Sequence, residues 1–152
     1  MIHEAFAEDG FSVEKGKSEK TDFDWQVISG KIDVRIVKFK DVNDSIRVYG
    51  AIAFVGLNNN QNLSQPSINN IFYELRTKYL EIGLDYAFRL NPERNMIEIF
   101  HTIHYDGLNK HELMRSFTLV RNMVLWTQQK LRHEVSDILS VLDPDLRDAT
   151  YE

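Results

Sequence analysis

The C-terminal third of the chain carries the longest apolar repeat in the sequence, and the repeat has helical spacing. From Leu113 to Leu142, large apolar side chains recur at intervals of three, four or seven residues, as they do along one face of a helix. Asn109 and Glu112 precede the repeat in the positions of a capping box. Pro144 follows it, and proline disfavours helix at the residue before it. The pattern predicts a helix over residues 110–142, about 50 Å long.

The first half of this predicted helix is apolar all round its axis. Such a helix must be covered on every side, and a sheet can cover only one side. Exposed apolar patches of this size are rare in monomers, so the segment favours contact with a second copy of the chain or with a protein client. Coverage by another helix of the same chain is the simpler alternative. The candidate interface residues are Phe117, Leu119, Met123 and Trp126.

Three segments in the first third of the chain alternate with the period of two that is typical of β-strands. They are residues 23–27, 32–39 and 46–55. In the second segment the apolar phase changes between Ile36 and Val37. A regular pleated strand places alternate side chains on opposite faces, so the change of phase predicts a β-bulge or a strong twist there. The third segment is apolar on both faces, as expected of a central strand that is covered on both sides.

The other predicted elements complete an α+β pattern. A short helix over residues 2–8 is predicted to end at Gly10, and a longer one to run from Pro66 to Gly83, because proline suits the first turn and glycine the C-cap. Residues 15–22 are predicted to form a loop or hairpin turn. Two further strands are predicted, over residues 86–90 and 96–105. The order α-βββ-α-ββ-α predicts an α+β fold, with helices packed on an antiparallel sheet of about five strands and a long C-terminal helix.

Composition narrows the class of protein. The 152 residues fit one domain, in which residues 143–152 are expected to form a frayed acidic tail. The net charge of −5 argues against nucleic acid as a partner. Cysteine is absent, which excludes disulfides, thiolate catalysis and Cys-type metal sites. The sequence has no apolar run of the roughly 20 residues that a membrane span needs, and its acidic N-terminus is unlike a signal peptide, so we expect a cytoplasmic protein.

The sequence predicts no catalytic, cofactor or metal site. Residues 10–18 resemble a phosphate-binding P-loop, but one residue too many separates their two glycines. His101 and His104 are three residues apart on a predicted strand, so they would point to opposite faces and could not share a metal ion. We expect His101 to be a core histidine with a hydrogen-bonding partner. Carboxylates such as Asp22 and Asp24 are expected to be solvated, and we predict a protein that is not an enzyme.

A pocket between the sheet and the helices is the alternative site. The polar loop from Asn58 to Gln65 could line it together with His101 and Tyr105, because loops often carry binding residues. The chain would then be a small-molecule-binding sensor or regulator, or an uncharacterised enzyme.

The element order resembles the type III secretion chaperone-like fold. That group includes small acidic dimeric secretion chaperones, the YbjN-like regulators and several prokaryotic, often archaeal, families of unknown function. The resemblance covers residues 2–142 and rests on topology, size and acidity. It implies a homodimer that binds protein segments without hydrolysing nucleotide. We therefore expect a non-enzymatic protein-binding domain, chaperone- or adaptor-like, whose partners are a second copy of the chain and a protein client.

Overall fold

The strands and helices follow one another in the order β1–β4, α1, β5, β6, α2, β7. The computed structural model describes residues 6–7, 10–16, 20–29, 32–42, 44–55, 65–90, 95–132 and 137–139. A helical turn at Phe6 and Ala7 precedes the strands, and a 3-10 turn, Tyr105–Gly107, precedes the last helix. The elements are β1 (Ser12–Lys15), β2 (Thr21–Ser29), β3 (Ile32–Phe39), β4 (Ser45–Val55), α1 (Gln65–Ile82), β5 (Asp85–Leu90), β6 (Asn95–His104), α2 (Lys110–Arg132) and β7 (Asp137–Leu139).

The strands form one antiparallel sheet, which confirms the predicted α+β class. Six strands stand in the order β1-β2-β3-β4-β6-β5. The central strand β4 pairs with β6 along Ser45–Phe54 and with β3 along Arg47–Gly50. The short β7 pairs with the end of β4 that β3 leaves uncovered, Ala53–Val55. Strands β1 and β5 are therefore the two ends of the six-stranded row.

The sheet has an apolar face and a polar face. The apolar face, here called the helix face, packs against α1 and α2 and is made mainly of β-branched residues, which suit a pleated surface. The opposite face, here called the polar face, includes Asp33, Arg35, Tyr49 and Glu98. The following helix-face residues are fully buried: Val27, Val34, Ile36, Val48, Ile52, Ile97 and Ile99.

Helix α2 crosses the helix face directly over β4. The close approach depends on Gly50, because a Cβ atom there would lie 2.6 Å from Val124 Cγ2 and 3.0 Å from Val120 Cγ1. Helix α1 lies beside α2, and the Tyr79 hydroxyl is 2.6 Å from Thr127 Oγ1 between them. The two helices and the helix face of the sheet therefore enclose the larger apolar core. A smaller buried cluster lies on the polar face and consists of Tyr49, Ala51, Ala53 and Met96.

Local capping chemistry sets the start of α2 and the end of α1, as predicted. Asn109 Oδ1 accepts a hydrogen bond from the Glu112 N–H at 2.8 Å at the start of α2. Gly83 ends α1 with a φ of +87°, a conformation that glycine adopts without steric cost. Gly10 plays the same part after the helical turn at Phe6, with a φ of +83°. Of the short helix predicted over residues 2–8, only Phe6 and Ala7 lie within the described residues. Of the two long helices that the structure describes, neither is long and apolar enough to cross a membrane.

The sequence-based prediction missed one strand at the start of the chain and shortened another. Residues Ser12–Lys15 form β1, which pairs with β2 from Ser12↔Ile28 to Lys15↔Trp25. Strand β2 also begins at Thr21, inside the predicted loop. The predicted loop or hairpin turn is nevertheless present in shortened form, because the chain turns between Lys15 of β1 and Thr21 of the antiparallel β2. Polarity extended the predicted turn too far at both ends, since strand ends at the margin of a sheet tolerate charged residues.

The predicted length of the last helix was wrong. Helix α2 ends at Arg132, and residues 137–139 form β7. The apolar residues expected on the last turns of the helix include Ile138, which pairs with Phe54 of β4. Unpaired backbone groups on a central strand need partners, and this long-range pairing overrides the helical periodicity.

The predicted bulge at Ile36-Val37 was also wrong. The pairing of β3 with β2 and β4 is continuous through both residues, and the register shift lies in β2, between Thr21 and Phe23. Residues 32–37 are buried on both faces of β3. An apolar residue is therefore accommodated on either face, and the change of phase needs no backbone irregularity.

Candidate functional site

The polar face of the sheet buries a cluster of charged side chains on β2 and β3. Asp24, Gln26, Asp33 and Arg35 are each at most 5% exposed, so the expectation that Asp24 is solvated was wrong. Gln26 Nε2 donates to Asp33 Oδ2 at 2.8 Å. The Arg35 guanidinium lies 3.8 Å from Asp24 Oδ2 and 3.9 Å from Asp33 Oδ2. Buried charges need such partners, and the cluster is built as an ion-pair network.

A second buried group on the polar face is centred on Glu98. Its carboxylate is 3% exposed and lies 2.8 Å from Arg89 Nε, and it shares a hydrogen bond with the Tyr49 hydroxyl. Burial raises the pKa of Glu98, against the opposing influence of Tyr49 and Arg89. Burial and the neighbouring carboxylate raise the pKa of Tyr49 as well. Carboxyls with a perturbed pKa occur in functional sites and in structural networks alike.

Replacing Glu98 with glutamine should make the stability of the protein less sensitive to pH. Because the pKa of Glu98 is raised by folding, the folded state holds its proton where the unfolded state has lost it. The free energy of unfolding therefore falls as the pH rises above 4.5, the ordinary pKa of a glutamic acid side chain. We expect Glu98→Gln to gain stability relative to the wild type between pH 4.5 and pH 7, measured by urea unfolding at both values. Glu81→Gln, at an exposed position of α1, is the control, and an equal gain there would contradict the prediction.

A small cleft lies at one end of the polar face, beside Arg47. The Arg47 guanidinium carbon is 4.2 Å from the centre of the Phe100 ring and 5.3 Å from that of Phe39. These are distances at which a cation is attracted to an aromatic face. The Tyr49 ring is nearly parallel to the Phe100 ring, and their centroids are 6.0 Å apart. The cleft is lined by Val37, Phe39, Val42, Ser45, Ile46, Arg47 and Thr102.

His101 and Tyr105 do not form one lining surface. His101 is half-buried on the helix face, and its Nδ1 lies 2.9 Å from Ser116 Oγ, which confirms the expected core histidine with a partner. Burial, followed by the charge of Arg115, lowers the pKa of His101. Tyr105 has left the strand for the 3-10 turn and is 42% exposed. Residues 58–64 of the polar loop lie outside the described residues.

The two histidines of β6 are also separated, as expected. His101 pairs with Val48 and His104 with Ser45, which places them on opposite faces of the sheet. Within the described ranges, no group of three or more histidine and carboxylate side chains could hold a metal ion.

Two of the four predicted interface residues on α2 are buried by their own chain, and the other two are half-buried. Phe117 is fully buried, with ring centroids 4.9 Å from Phe6 and 5.0 Å from Phe11, and Met123 is 8% exposed. Leu119 and Trp126 are half-buried and pack against the same core. Phe117 and Met123 therefore belong to the core and are not available to a partner. Helix α1 and the N-terminal phenylalanines provide the cover that the sequence suggested a second copy would supply.

Aromatic rings instead reach the surface where α1 lies on β5. The ring centroids of Phe72 and Phe88 are 5.0 Å apart, those of Phe88 and Tyr86 are 5.1 Å apart, and those of Tyr86 and Tyr79 are 5.9 Å apart. Phe72, Tyr86 and Phe88 are half-buried. Tyr73 and Leu80 are the most exposed large apolar residues described, at 63% and 64%. We call Phe72, Tyr73, Leu80, Tyr86 and Phe88 the edge surface.

The exposed pair on α1 points away from α2. Glu74 contacts Lys130 of α2, and the Lys78 amine lies over the Trp126 ring, so these residues mark the flank of α1 that faces α2. At about 100° of rotation per residue, Tyr73 and Leu80 project about 20° apart and at least about 100° away from Glu74 and Lys78. They lie on the side of α1 that faces away from α2 and also away from the buried Leu75 and Tyr79.

The sequence contained a signal for this surface that the prediction did not use. Tyr73 and Leu80 lie seven residues apart and off the apolar stripe that includes Phe72 and Tyr79. Large apolar residues outside the buried stripe of a helix indicate contact with something beyond the domain. Knowing that β5 is an end strand requires the structure.

Comparisons with known proteins place the chain in a group without an assigned activity. The model of a family described as an uncharacterized conserved protein, DUF2299, matches residues 1–131. The crystal structure of an uncharacterized protein from Methanothermobacter thermautotrophicus has a TM-score of 0.77 and 19% sequence identity, over 90% of this chain and 97% of that chain. This similarity shows that the two proteins share a fold. Neither comparison confirms the resemblance to type III secretion chaperones or YbjN-like regulators. The search of curated proteins gave no significant match.

Proposed function

The chain belongs to the DUF2299 family of uncharacterized conserved proteins, and we propose that it is a non-enzymatic protein-binding domain. It acts in the cytoplasm as a homodimer, in a chaperone- or adaptor-like role. The observation that carries the proposal is the edge surface, where two large apolar side chains are about two-thirds exposed beside half-buried aromatic rings. The proposal keeps the expected partners, a second copy and a protein client, but moves the contact from α2 to α1 and β5.

The chemistry of the edge surface suits a protein partner. Aromatic side chains are enriched in protein interfaces because they bury a large area with few rotatable bonds. The five residues carry no charge and only the hydroxyls of Tyr73 and Tyr86 as polar groups. Such a surface would bind a charged metabolite weakly, whereas the apolar side chains of a protein partner would bury it favourably.

The resemblance to type III secretion chaperones supports the same role. Those chaperones are small, acidic and dimeric, and this chain has 152 residues and a net charge of −5. The alternative, a small-molecule-binding sensor or an enzyme with a sheet–helix pocket, has weaker support. His101 is engaged with Ser116, and Tyr105 lies beyond the end of β6.

The test is to make the edge surface polar and to measure association. Tyr73→Ser with Leu80→Ser should lower the molecular mass of the wild-type species in sedimentation velocity from a dimer toward a monomer, because both side chains lose apolar contact area. The same double variant should lose any client that the wild type retains in a pull-down. Leu125→Ser, at a 40% exposed position of α2, is the control and should behave as the wild type. A wild-type chain that is monomeric and captures no protein would contradict the proposal.

A further inference from the structure

Among the strands that the structure describes, β5 has one unpaired edge, which differs in length and composition from the unpaired edge of β1. Strand β6 pairs with one side of β5, and no strand in the described ranges pairs with the other side. At the opposite end of the sheet, β1 has four residues, and its Glu14 and Lys15 are exposed. Short, charged edges discourage further pairing. Strand β5 has six residues and carries Tyr86 and Phe88 between Asp85 and Arg89, so it is longer and more apolar than β1.

We propose that β5 pairs in an antiparallel register with β5 of a second copy, centred on Ala87. In this register Asp85 lies opposite the partner's Arg89, and Tyr86 lies opposite the partner's Phe88. Each pair occurs twice, because two-fold symmetry brings the same patch of both copies together. Cross-strand pairs of opposite charge and of aromatic rings stabilise a sheet. The inference rests on the proposed homodimer and names its interface.

The sequence of β5 specifies this register over its neighbours. A shift of one residue would place Tyr86 and Phe88, which face the helices, against side chains of the polar face. A shift of two residues keeps the faces matched but separates Asp85 from the partner's Arg89. Only the register centred on Ala87 matches both the charges and the rings.

The exposed residues of α1 fit the same arrangement. Antiparallel pairing of two identical edge strands continues the sheet, so the α1 helices of both copies lie on the same side of it. Their flanks that point away from α2 then face each other across the two-fold axis. Phe72, Tyr86 and Phe88, which are half-buried where α1 meets β5, lie on this side. Tyr73 and Leu80, exposed at 63% and 64% in the single chain, lie at its solvent margin. The second copy would therefore bury the half-buried rings first.

A single introduced cysteine tests the register, because the chain has no native cysteine. Paired residues in an antiparallel ladder have Cα atoms roughly 4.5–5.5 Å apart, within the reach of a disulfide. Ala87→Cys should form a covalent dimer under mild oxidation. Asp85→Cys, on the same strand and the same face, is the matched control. Its two copies would be offset by four residues, roughly 13 Å, and should not join. A mixture of Asp85→Cys with Arg89→Cys should again give a covalent dimer.

Charge reversal gives a second measurement of the same contact. Asp85→Arg places like charges opposite each other twice and should weaken dimerisation roughly tenfold or more. Glu81→Arg makes the same charge change on α1, where it faces away from the proposed contact, and should leave the dimer unchanged. Both are compared by sedimentation velocity.

The outcomes separate this inference from the proposed function. A dimer in solution with no covalent product from Ala87→Cys would overturn the β5 pairing and leave the homodimer standing. Equal covalent dimer from Ala87→Cys and Asp85→Cys would show random collision and would also overturn the pairing. A chain that sediments as a monomer at every concentration would overturn both the pairing and the homodimer.

Discussion

Replacing Phe117 with alanine should lower the free energy of unfolding by about 3–5 kcal/mol. The Phe117 ring is fully buried and meets the edges of Phe6 and Phe11 at centroid distances of 4.9 and 5.0 Å. The substitution removes these contacts and leaves a cavity that the surrounding sheet and helix can fill only in part. Urea unfolding followed by tryptophan fluorescence measures the loss.

A variant on the same helix separates a core role from an interface role. Leu125 lies on the outward side of α2 and is 40% exposed. Leu125→Ala should change the free energy of unfolding by about 0.5 kcal/mol or less, as surface substitutions do. If Phe117→Ala kept wild-type stability and instead converted a dimer into a monomer, the original interface prediction for Phe117 would be right.

Elements with local signals could be predicted from the sequence. The start of α2 follows from Asn109, whose side chain caps the Glu112 N–H, and the end of α1 follows from Gly83 with its positive φ. Both depend on a few neighbouring residues, so no knowledge of the rest of the fold is needed. The alternating segments that became β3, β4 and β6 were likewise recognisable from their period of two.

Elements that depend on distant partners could not be predicted. Strand β7 forms because it pairs with Ala53–Val55 of β4, which β3 leaves unpaired. The sequence around residue 138 gives no local indication of that pairing. Strand β1 is polar and short, and its strand conformation comes from pairing with β2. In both cases long-range hydrogen bonding overrides the local pattern.

The candidate site likewise combines a feature that is visible in the local sequence with one that depends on the rest of the fold. Tyr73 and Leu80 can be recognised in the sequence as apolar residues off the buried stripe of α1. Their meaning depends on β5 being the last strand of the sheet, which follows from the order β4-β6-β5. The burial of Asp24 and Arg35 on the polar face could not be predicted either, because alternating charged residues on a strand usually indicate a solvated face.

Replacing Gly50 with alanine should lower the free energy of unfolding by about 1–3 kcal/mol, as overpacking of a core does. The new Cβ would lie 2.6 Å from Val124 Cγ2 and 3.0 Å from Val120 Cγ1. Valine side chains in a helix have one strongly preferred rotamer, so they cannot turn aside. Helix α2 would have to move away from β4, which loosens the contacts on which the core depends. Urea unfolding of the single variant measures this loss.

The expected destabilisation by Gly50→Ala is attributed to the lack of space for a Cβ atom, and two further variants test this cause against the loss of backbone freedom. Gly107→Ala adds the same methyl group where no atom lies within 4 Å and should cause no loss of stability. Val124→Ala removes the methyl group nearest to the new Cβ. The double variant Gly50→Ala/Val124→Ala should therefore lose less free energy of unfolding than the two single variants lose in sum. Strictly additive losses would mean that the two side chains do not compete for the same space. Alanine at position 50 would then destabilise the strand for a reason other than the approach of α2.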